Sequence, residues 1–387
     1  MSRIPLAWKN LTHDRRKLFV AVSGIAFAVL LMFQQRGFNH ALFDSTVALL
    51  RDLDGEIVIF NRARFALSSE LRFDRNVLDL VLSDAAVQSS APVYLENTVA
   101  RLRRFGTRAR PIRIIGVSAD QSPLADAETR QKVEELLQKP NSALVDTRSK
   151  RNFGFNLNPS PGTEEAGELA GRTIMVVGSF SMGRDFAHEG NLLMLSDELA
   201  RYFPYRAVKP LEVVDLGLVR LTPGSDVQAV ADRLQTRLGP GVSVMPRQAL
   251  IEREIAFWAR STPIGTIFAV GAIMGFVVGV VICYQVLATD IANHLSEFAT
   301  LRAMGYRNGY FFRLIFSQSV FLSMMGFLPG MLASWMLFRF TSMQTGLLMM
   351  MTWDRALFIF VLTFLMCIIS GAFALRKLLS ADPASLF

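Results

Sequence analysis

The sequence predicts a membrane α-helical protein with four transmembrane helices and one large α+β extracytoplasmic domain. The 387 residues are 51% apolar but 19% charged, with a mean hydropathy of +0.32. This mixture is too apolar for a soluble domain and too charged for a chain lying wholly in the membrane. Four uncharged runs are long enough to cross a bilayer. Between the first two runs, residues 38–262 carry both strand and helix patterns.

The distribution of charge supports this division of the chain. The net charge is +8, yet residues 38–262 contain 28 basic and 28 acidic side chains. The basic excess therefore lies beside the apolar runs, which indicates membrane topology rather than a nucleic-acid-binding face.

The four predicted spans are residues 18–37, 263–288, 314–338 and 356–375. Each must satisfy its own backbone hydrogen bonds in lipid, so each is predicted to be a helix. The first run could instead be a signal peptide. Because it ends without a small-x-small cleavage site, it is interpreted as an uncleaved anchor.

Basic residues predict the orientation. They precede the first span, separate the second from the third, and follow the fourth: Arg15, Arg16, Lys17, Arg302, Arg307, Arg313, Arg376 and Lys377. The positive-inside rule then places both termini and residues 289–313 in the cytoplasm. Residues 38–262 and the short loop 339–355 would be periplasmic. Residues 1–17 are predicted to be an amphipathic cytoplasmic segment, and residues 376–387 a cytoplasmic tail, at the bacterial inner membrane.

Within residues 38–262 a strand–helix–strand order occurs twice. The patterns are Glu56–Phe60, Ser69–Leu82 and Pro92–Arg101, then Val213–Leu221, Asp226–Leu238 and Val242–Met245. Two such units predict a split βαβ, ferredoxin-like module from about 38–101 and 212–262. Residues 102–211 would form an inserted second lobe. Its predicted elements are the strands Ile112–Val117, Ala143–Thr147, Thr173–Val177 and Leu192–Leu195 and the helix Ala127–Gln138.

An arginine-rich stretch lies at the start of this lobe. It holds Arg101, Arg103, Arg104, Arg108, Arg110 and Arg113, with no acidic residue before Asp120. Two interpretations remain open. The stretch is either an exposed hairpin tip without a partner or a docking surface for an adaptor protein or lipid headgroups.

Catalytic motifs are missing from the sequence. The chain contains no Gly-Lys pair, which excludes a Walker A loop, and it has neither a Gly-x-Ser-x-Gly elbow nor a His-Glu-x-x-His motif. The four histidines lack metal-ligand spacing, and Cys283 and Cys367 both lie in apolar runs. We therefore expect no enzyme activity, no metal and no cofactor in this chain, and no polar constellation within the spans.

The second span carries Gly271, Gly275 and Gly279 at four-residue spacing. Small residues at this spacing predict a helix-packing face, either within the chain or between two copies. Pro329 is expected to kink the third span. Residues 247–260 have a helical pattern that either continues into the second span or breaks at Thr262-Pro263.

Residues 293–306 form the most informative segment. Phe298, Leu301 and Met304 recur at helical spacing, and Gly305 follows as a C-cap. An apolar stripe on a small cytoplasmic loop predicts a docking partner. The alternative is that the stripe packs on its own membrane helices.

The residues from Ser296 to Tyr306 resemble the coupling segment of FtsX/MacB-type permeases, which reads Glu, apolar, small, x, Leu, basic, Ala, apolar, Gly. The four-span layout and residues 382–387 match this family too. Residues 4–8, 24–28, 31–33 and 37–45 more narrowly resemble the DevC group of glycolipid-exporter permeases.

This resemblance implies a type VII ABC transporter permease that forms a homodimer. A separate ATPase subunit, which binds ATP and Mg²⁺, would dock on Glu297, Phe298, Leu301, Arg302, Met304 and Gly305. Its motion would be passed to the periplasmic domain, a mechanism called mechanotransmission. A membrane-fusion adaptor and a TolC-like outer-membrane duct would complete the exporter, whose substrate would be a lipid, glycolipid or other amphiphile. The alternatives are an FtsX-like regulator of a periplasmic cell-wall hydrolase and a lipoprotein-extracting permease.

Overall fold

The computed structural model describes residues 15–380, apart from residues 121, 160–161, 184, 186–187, 262, 296, 298–299, 302–303, 307, 346 and 348. Most of the predicted N-terminal amphipathic segment and residues 381–387 of the predicted tail thus lie outside the described residues. The chain divides into two compact units. The helical unit comprises residues 15–40, 263–342 and 349–380, and the α/β unit comprises residues 41–261 and 343–347.

The elements are numbered along the chain. The helices are α1 Arg15–Thr46, α2 Ala48–Asp52, α3 Asn76–Val81, α4 Ala127–Leu136, α5 Ser196–Tyr202, α6 Val227–Leu238, α7 Arg247–Ser261, α8 Pro263–Asn293, α9 Asn308–Thr345 and α10 Trp353–Ser380. The strands are β1 Ile57–Asn61, β2 Phe73–Asp74, β3 Val87–Glu96, β4 Arg101–Arg104, β5 Arg110–Pro111, β6 Arg113–Val117, β7 Ser142–Asp146, β8 Glu165–Leu169, β9 Arg172–Phe180, β10 Asn191–Leu195, β11 Val213–Val214, β12 Leu216–Leu221 and β13 Val242–Pro246.

Helices α1, α8, α9 and α10 are long and apolar enough to cross a membrane, which confirms the four predicted apolar helices. Each helix is longer than its predicted apolar run, because backbone hydrogen bonding can continue past the point where the apolar residues end. Helix α9 runs from Asn308 to Thr345 with Pro329 inside it.

One mixed sheet dominates the α/β unit. Among the described residues it has eleven strands, in the order β13-β1-β12-β3-β6-β10-β7-β9-β8-β4-β5. The first four, β13, β1, β12 and β3, pair antiparallel to their neighbours. The strands of residues 102–211 continue the same sheet through the antiparallel β3–β6 pair. Parallel pairs occur only inside that continuation among the described strands, between β6 and β10 and between β7 and β9.

Both faces of the central strands of this sheet are buried. Along β1, Ile57 and Ile59 belong to one apolar cluster, while Val58 and Phe60 belong to the other. Helices α3, α5 and α6 contribute to the first cluster, and helices α2, α4 and α7 to the second. Each fully buried aliphatic side chain stabilises the fold by about 1.5–3 kcal/mol, so two filled faces fix the register of the central strands.

The predicted helix Ser69–Leu82 is wrong in its first half, because only Asn76–Val81 is helical. Phe73 and Asp74 instead form β2, which pairs with β11. The backbone carbonyl of Arg72 accepts a hydrogen bond from the side chain of Asn61 (2.7 Å). These tertiary partners outweigh the helical periodicity.

Two predicted strands also have the wrong limits. Pro92–Arg101 is replaced by β3, which ends at Glu96, and by a separate β4. The carboxylate of Glu96 accepts hydrogen bonds from the backbone N–H groups of Thr98 and Val99 (both 3.2 Å), which turns the chain there. Val213–Leu221 is likewise interrupted at Asp215, which belongs to neither β11 nor β12.

Candidate functional site

The segment between α8 and α9 is described in part. Leu295, Glu297, Thr300 and Leu301 are helical, and the chain turns at Gly305, which has a φ of +90°. The N–H of Tyr306 donates to the carbonyl of Leu301 (3.2 Å), as expected for a helix closed by a left-handed glycine. Phe298 and Arg302, two of the predicted ATPase contacts, lie outside the described residues.

The described side chains of this segment differ in exposure. Met304 is 63% exposed. Glu297 is exposed and Leu301 is half-buried. An exposed methionine beside a rigid turn is a surface that a partner protein could cover. The predicted alternative, packing on the chain's own helices, does not account for the Met304 side chain.

A partly buried polar pair adjoins this segment. The Oδ2 atom of Asp290, near the end of α8, accepts a hydrogen bond from Nε2 of Gln318 on α9 (2.9 Å). Gln318 is 1% exposed, and Nδ1 of His294 lies 2.9 Å from the carbonyl oxygen of Asp290. Gln318 belongs to the predicted third span, whereas Asp290 follows the predicted second span, so this hydrogen bond lies at the edge of the predicted membrane region. The sequence alone does not reveal this pair, because Asp290 and Gln318 are 28 residues apart along the chain.

The three glycines of α8 face α1 within the same chain. A Cβ atom built on Gly271 would lie 2.5 Å from Gln35, and one on Gly275 would lie 3.4 Å from Leu31. A Cβ atom on Gly279 would lie 2.9 Å from the Cβ of Ala28 and would also overlap the sulfur of Met366. The glycine face thus provides close helix approach inside the chain, and Gly279 is its most crowded position.

Helix α9 also approaches α1 through a glycine. A Cβ atom on Gly330 would lie 2.8 Å from the backbone carbonyl oxygen of Ala26 and 2.8 Å from the Cβ of Val29. Helix α1 is therefore contacted closely by glycines of two other helices. Gly326, four residues earlier on α9, makes a similar contact, since a Cβ atom there would lie 2.7 Å from the Cβ of Ile25. The four-residue glycine spacing was predicted as a packing face on α8 but not on α9, where Gly326 and Gly330 repeat it.

The structure separates the six predicted arginines. Arg113 is 5% exposed, and it donates to Asn191 (2.8 Å) and Asp185 (3.3 Å). The other five are partly or fully exposed: Arg101, Arg103, Arg104, Arg108 and Arg110.

Three of these five are paired with carboxylates. Arg103 contacts Glu168 (2.6 Å). Arg104 lies 3.4 Å from Glu165, and Arg110 contacts Glu189 (2.7 Å). The glutamates come from β8 and from the loop before β10, so the pairing could not be read from local sequence. Arg113 is a structural residue rather than a surface contact.

A buried histidine stands beside Arg113. Nδ1 of His188 lies 2.9 Å from Asp185, and Nε2 lies 2.7 Å from the carbonyl oxygen of Asn97. Burial alone would lower the pKa of His188, but its hydrogen bond to the Asp185 carboxylate and the charge of that group outweigh burial and raise the pKa. Since both neighbours are acceptors, the protonated ring satisfies both. This contact ties the loop before β10 to the turn after β3.

Helix α7, which precedes α8 along the chain, is fixed to the α/β unit by Glu254. Its buried carboxylate accepts hydrogen bonds from the backbone N–H of Leu67 (3.1 Å) and from the indole N–H of Trp258 (2.9 Å). Burial raises the pKa of Glu254. The charge of Glu254 acts on the buried guanidinium of Arg64, which donates to the carbonyl oxygens of Asp215 (2.7 Å) and Leu67 (2.8 Å). Helix α7 ends at Ser261 and α8 begins at Pro263.

Replacing Glu254 by alanine is expected to lower the free energy of unfolding by about 3–5 kcal/mol, because two donors lose their acceptor and the buried Arg64 loses a nearby negative charge. Glu254→Gln keeps one acceptor oxygen and should cost less. Thermal unfolding of the purified chain measures both. Glu252 is the matched control, since it lies exposed on the same helix and bonds only Gln248 (3.0 Å) among the contacts described for it. Equal melting temperatures for Glu254→Ala and Glu252→Ala would contradict the anchoring role.

The chain was compared with known proteins. Residues 269–383 match the family described as FtsX-like permease C-terminal, which is less than half of the chain. A search of curated proteins gives no match.

Two solved structures show a weaker likeness to this chain. One is the periplasmic region of MacB from Actinobacillus actinomycetemcomitans, with 14% identity, a TM-score of 0.36, and coverage of 52% of this chain and 92% of that one. The other is the extracellular domain of the noncanonic ABC-type transporter YknZ from Gram-positive bacteria, with 12% identity, a TM-score of 0.34, and coverage of 49% and 98%. Structural likeness at these scores supports no conclusion about this chain. The predicted resemblance to FtsX-type permeases is confirmed over residues 269–383, which match the FtsX-like permease C-terminal family.

Proposed function

We propose that this chain is the membrane-spanning permease subunit of an ATP-driven ABC exporter, with ATP and Mg²⁺ bound by a separate ATPase subunit. The observation that carries the proposal is the FtsX-like match over residues 269–383, which includes the turn at Gly305 and the exposed Met304. An apolar side chain presented by a rigid turn between two membrane helices suits a docking partner.

The proposed mechanism is mechanical coupling. Motion of a docked ATPase would move the 293–306 segment and, through it, the ends of α8 and α9, which the Asp290–Gln318 hydrogen bond joins. At its other end α8 is preceded along the chain by α7. Because Glu254, Leu250 and Ile251 hold α7 on the sheet, a displacement of α7 would carry the sheet with it.

Further proposals follow from the family resemblance. The helical unit would be the core of a homodimer, with residues 38–262 in the periplasm and both termini in the cytoplasm. The split βαβ module is proposed for β1, α3, β3, β12, α6 and β13, whose strand order β13-β1-β12-β3 and antiparallel pairing support it. A DevC-like exporter would add an adaptor and a TolC-like duct, and would carry a glycolipid or other amphiphile.

Detergent pull-down of the full chain with mass spectrometry tests the assembly. The expected result is co-purification of an ATPase subunit together with an adaptor. Native mass spectrometry of the complex should show two copies of the permease. A preparation without any ATPase would overturn the proposal. Recovery of a cell-wall hydrolase instead of an adaptor would replace export by regulation.

Cysteine labelling tests the orientation. Cys283 and Cys367 are both buried in the helical unit, so they give little background with a membrane-impermeant maleimide. Ala85→Cys, at an exposed position of the α/β unit, should react when the reagent reaches the periplasm. Met304→Cys should react only after the inner membrane is permeabilised. The reverse pattern would invert the proposed topology.

A further inference from the structure

A rigid turn joins β4 to β5. Leu102 pairs with Arg110 in the hairpin, and residues 105–109 form the turn. Gly106 has a φ of +88°, and both the N–H and the hydroxyl of Thr107 donate to the carbonyl of Arg104 (3.0 and 2.8 Å). The turn therefore holds its shape through its own hydrogen bonds.

A short 3₁₀ helix, Arg151–Phe153, lies against this turn. Nη1 of Arg104 donates to the carbonyl of Gly154 (2.8 Å), and the hydroxyl of Thr107 lies 3.4 Å from the carbonyl oxygen of Phe153. Arg151, at the start of the 3₁₀ helix, is exposed. We call the group formed by Arg104, Phe105, Arg108 and Arg151 the cationic tip.

The charges of the cationic tip are poorly neutralised. Within the described part of the chain, Arg108 and Arg151 are exposed and have no carboxylate partner. Arg104 has one, Glu165 at 3.4 Å, and its side chain remains 48% exposed. No acidic residue lies between Glu96 and Asp120 along the hairpin strands. The tip thus presents guanidinium groups to any anionic surface nearby.

Phe105 adds an apolar ring to this positive charge. It is 58% exposed at the turn and belongs to neither core cluster of the α/β unit. Arginines on the same turn as an exposed aromatic ring suit the boundary of an anionic bilayer, where guanidinium groups bind phosphates and the ring enters the headgroup region. A stable protein interface needs roughly 800 Å² from each partner. One turn and one 3₁₀ helix form a narrow surface for that purpose, whereas lipid binding needs no extended complementary surface.

We propose that the cationic tip binds the surface of an anionic phospholipid bilayer, with Phe105 inserted between headgroups whose phosphates contact Arg104, Arg108 and Arg151. This inference is independent of ATP-driven export, because it concerns a fixed surface of the α/β unit. It selects lipid headgroups over an acidic protein as the ligand of the arginine-rich hairpin.

The full chain reconstituted in nanodiscs of phosphatidylcholine tests the proposal, because a neutral disc leaves the tip without an anionic surface of its own. The discs are mixed with vesicles containing phosphatidylglycerol, and binding is measured by flotation without nucleotide. Wild-type discs should bind these vesicles and not pure phosphatidylcholine vesicles. Each arginine near an anionic surface contributes about fivefold in affinity, so Arg104→Ser with Arg108→Ser should weaken binding roughly 25-fold.

The variants at Phe105 separate insertion from charge alone. Phe105→Ser should weaken binding at unchanged net charge, and Phe105→Trp should restore it. Arg233→Ser with Arg237→Ser is the charge-matched control, since both are exposed arginines of α6, and it should bind as the wild type does. Equal binding to both vesicle types, or loss of binding in the α6 control as great as in the tip variant, would overturn the proposal. Binding of polyglutamate but not of anionic vesicles would assign the tip to an acidic protein instead.

Discussion

The Met304→Asp variant is expected to lose its ATPase subunit during purification, while its helices remain folded. Met304 is 63% exposed, so an aspartate there costs the isolated chain little. In the proposed complex the same position would be covered, and an unpaired charge at a covered apolar contact weakens binding by 2 kcal/mol or more, roughly 30-fold. Leu301→Asp should act in the same direction. Quantitative mass spectrometry of affinity-purified complexes gives the ATPase-to-permease ratio.

A methionine at the other end of α9 provides the control for this experiment. Met350 is 60% exposed and follows α9, whereas Met304 precedes it. Met350→Asp therefore makes the same chemical change at similar exposure, far from the proposed docking segment. It should leave the ATPase ratio unchanged, and Met304→Leu should keep the partner bound. If Met304→Asp retains the full ATPase complement, the partner does not dock on this turn.

The parts of the fold that sequence predicted well are those that local chemistry determines. An uncharged run of about twenty residues admits one hydrogen-bonded solution in lipid, so the four apolar helices could be located without tertiary information. Helices α4 and α6 were also predicted closely from their helical periodicity, and in the structure each begins after an aspartate that caps its first turn, Asp126 or Asp226. The turn at Gly305 was predicted for a similar reason, since a left-handed C-cap favours glycine.

The parts that sequence missed depend on distant partners. The short strand β4 pairs with the nearby β5 and also with β8, which lies more than sixty residues further along the chain. Its arginines also break the alternation of apolar and polar residues by which a strand is recognised. Asp215 interrupts a predicted strand because its carboxylate accepts a hydrogen bond from the backbone of Leu95 (2.8 Å) and contacts the buried Arg206. Buried charges of this kind are stable only when the fold brings their partners together.

The same limit applies to the candidate site. Six arginines in one stretch looked equivalent, yet Arg113 is buried and Arg108 is exposed without a partner among the described residues. Glycine spacing showed that α8 has a packing face, but only the fold identifies α1 of the same chain as the element that it packs against. Sequence therefore predicted which residue types matter and left their separate roles undecided.

Gly330→Ala is expected to destabilise the helical unit at the contact between α1 and α9. The new Cβ would lie 2.8 Å from the backbone oxygen of Ala26, and a backbone atom cannot rotate away as a side chain does. Overpacking of this kind costs about 1–3 kcal/mol and forces the two helices apart. We expect a clearly lower melting temperature and a smaller monodisperse fraction in size-exclusion chromatography of the detergent-solubilised chain.

Gly309 on the same helix makes this expectation a strict test. A Cβ atom there would meet no neighbouring atom within 4 Å. Alanine favours a helix interior over glycine by about 1 kcal/mol, and Gly309 stands in the first turn of α9, where the gain is smaller, so Gly309→Ala should be neutral or slightly stabilising. The same substitution at two positions of one helix should thus have opposite effects on stability, and the test compares the position that contacts α1 with the one that does not. If the two variants have the same melting temperature, α9 does not pack on α1 through Gly330. The close approach of α9 to α1 would then no longer explain how the helical unit is held together.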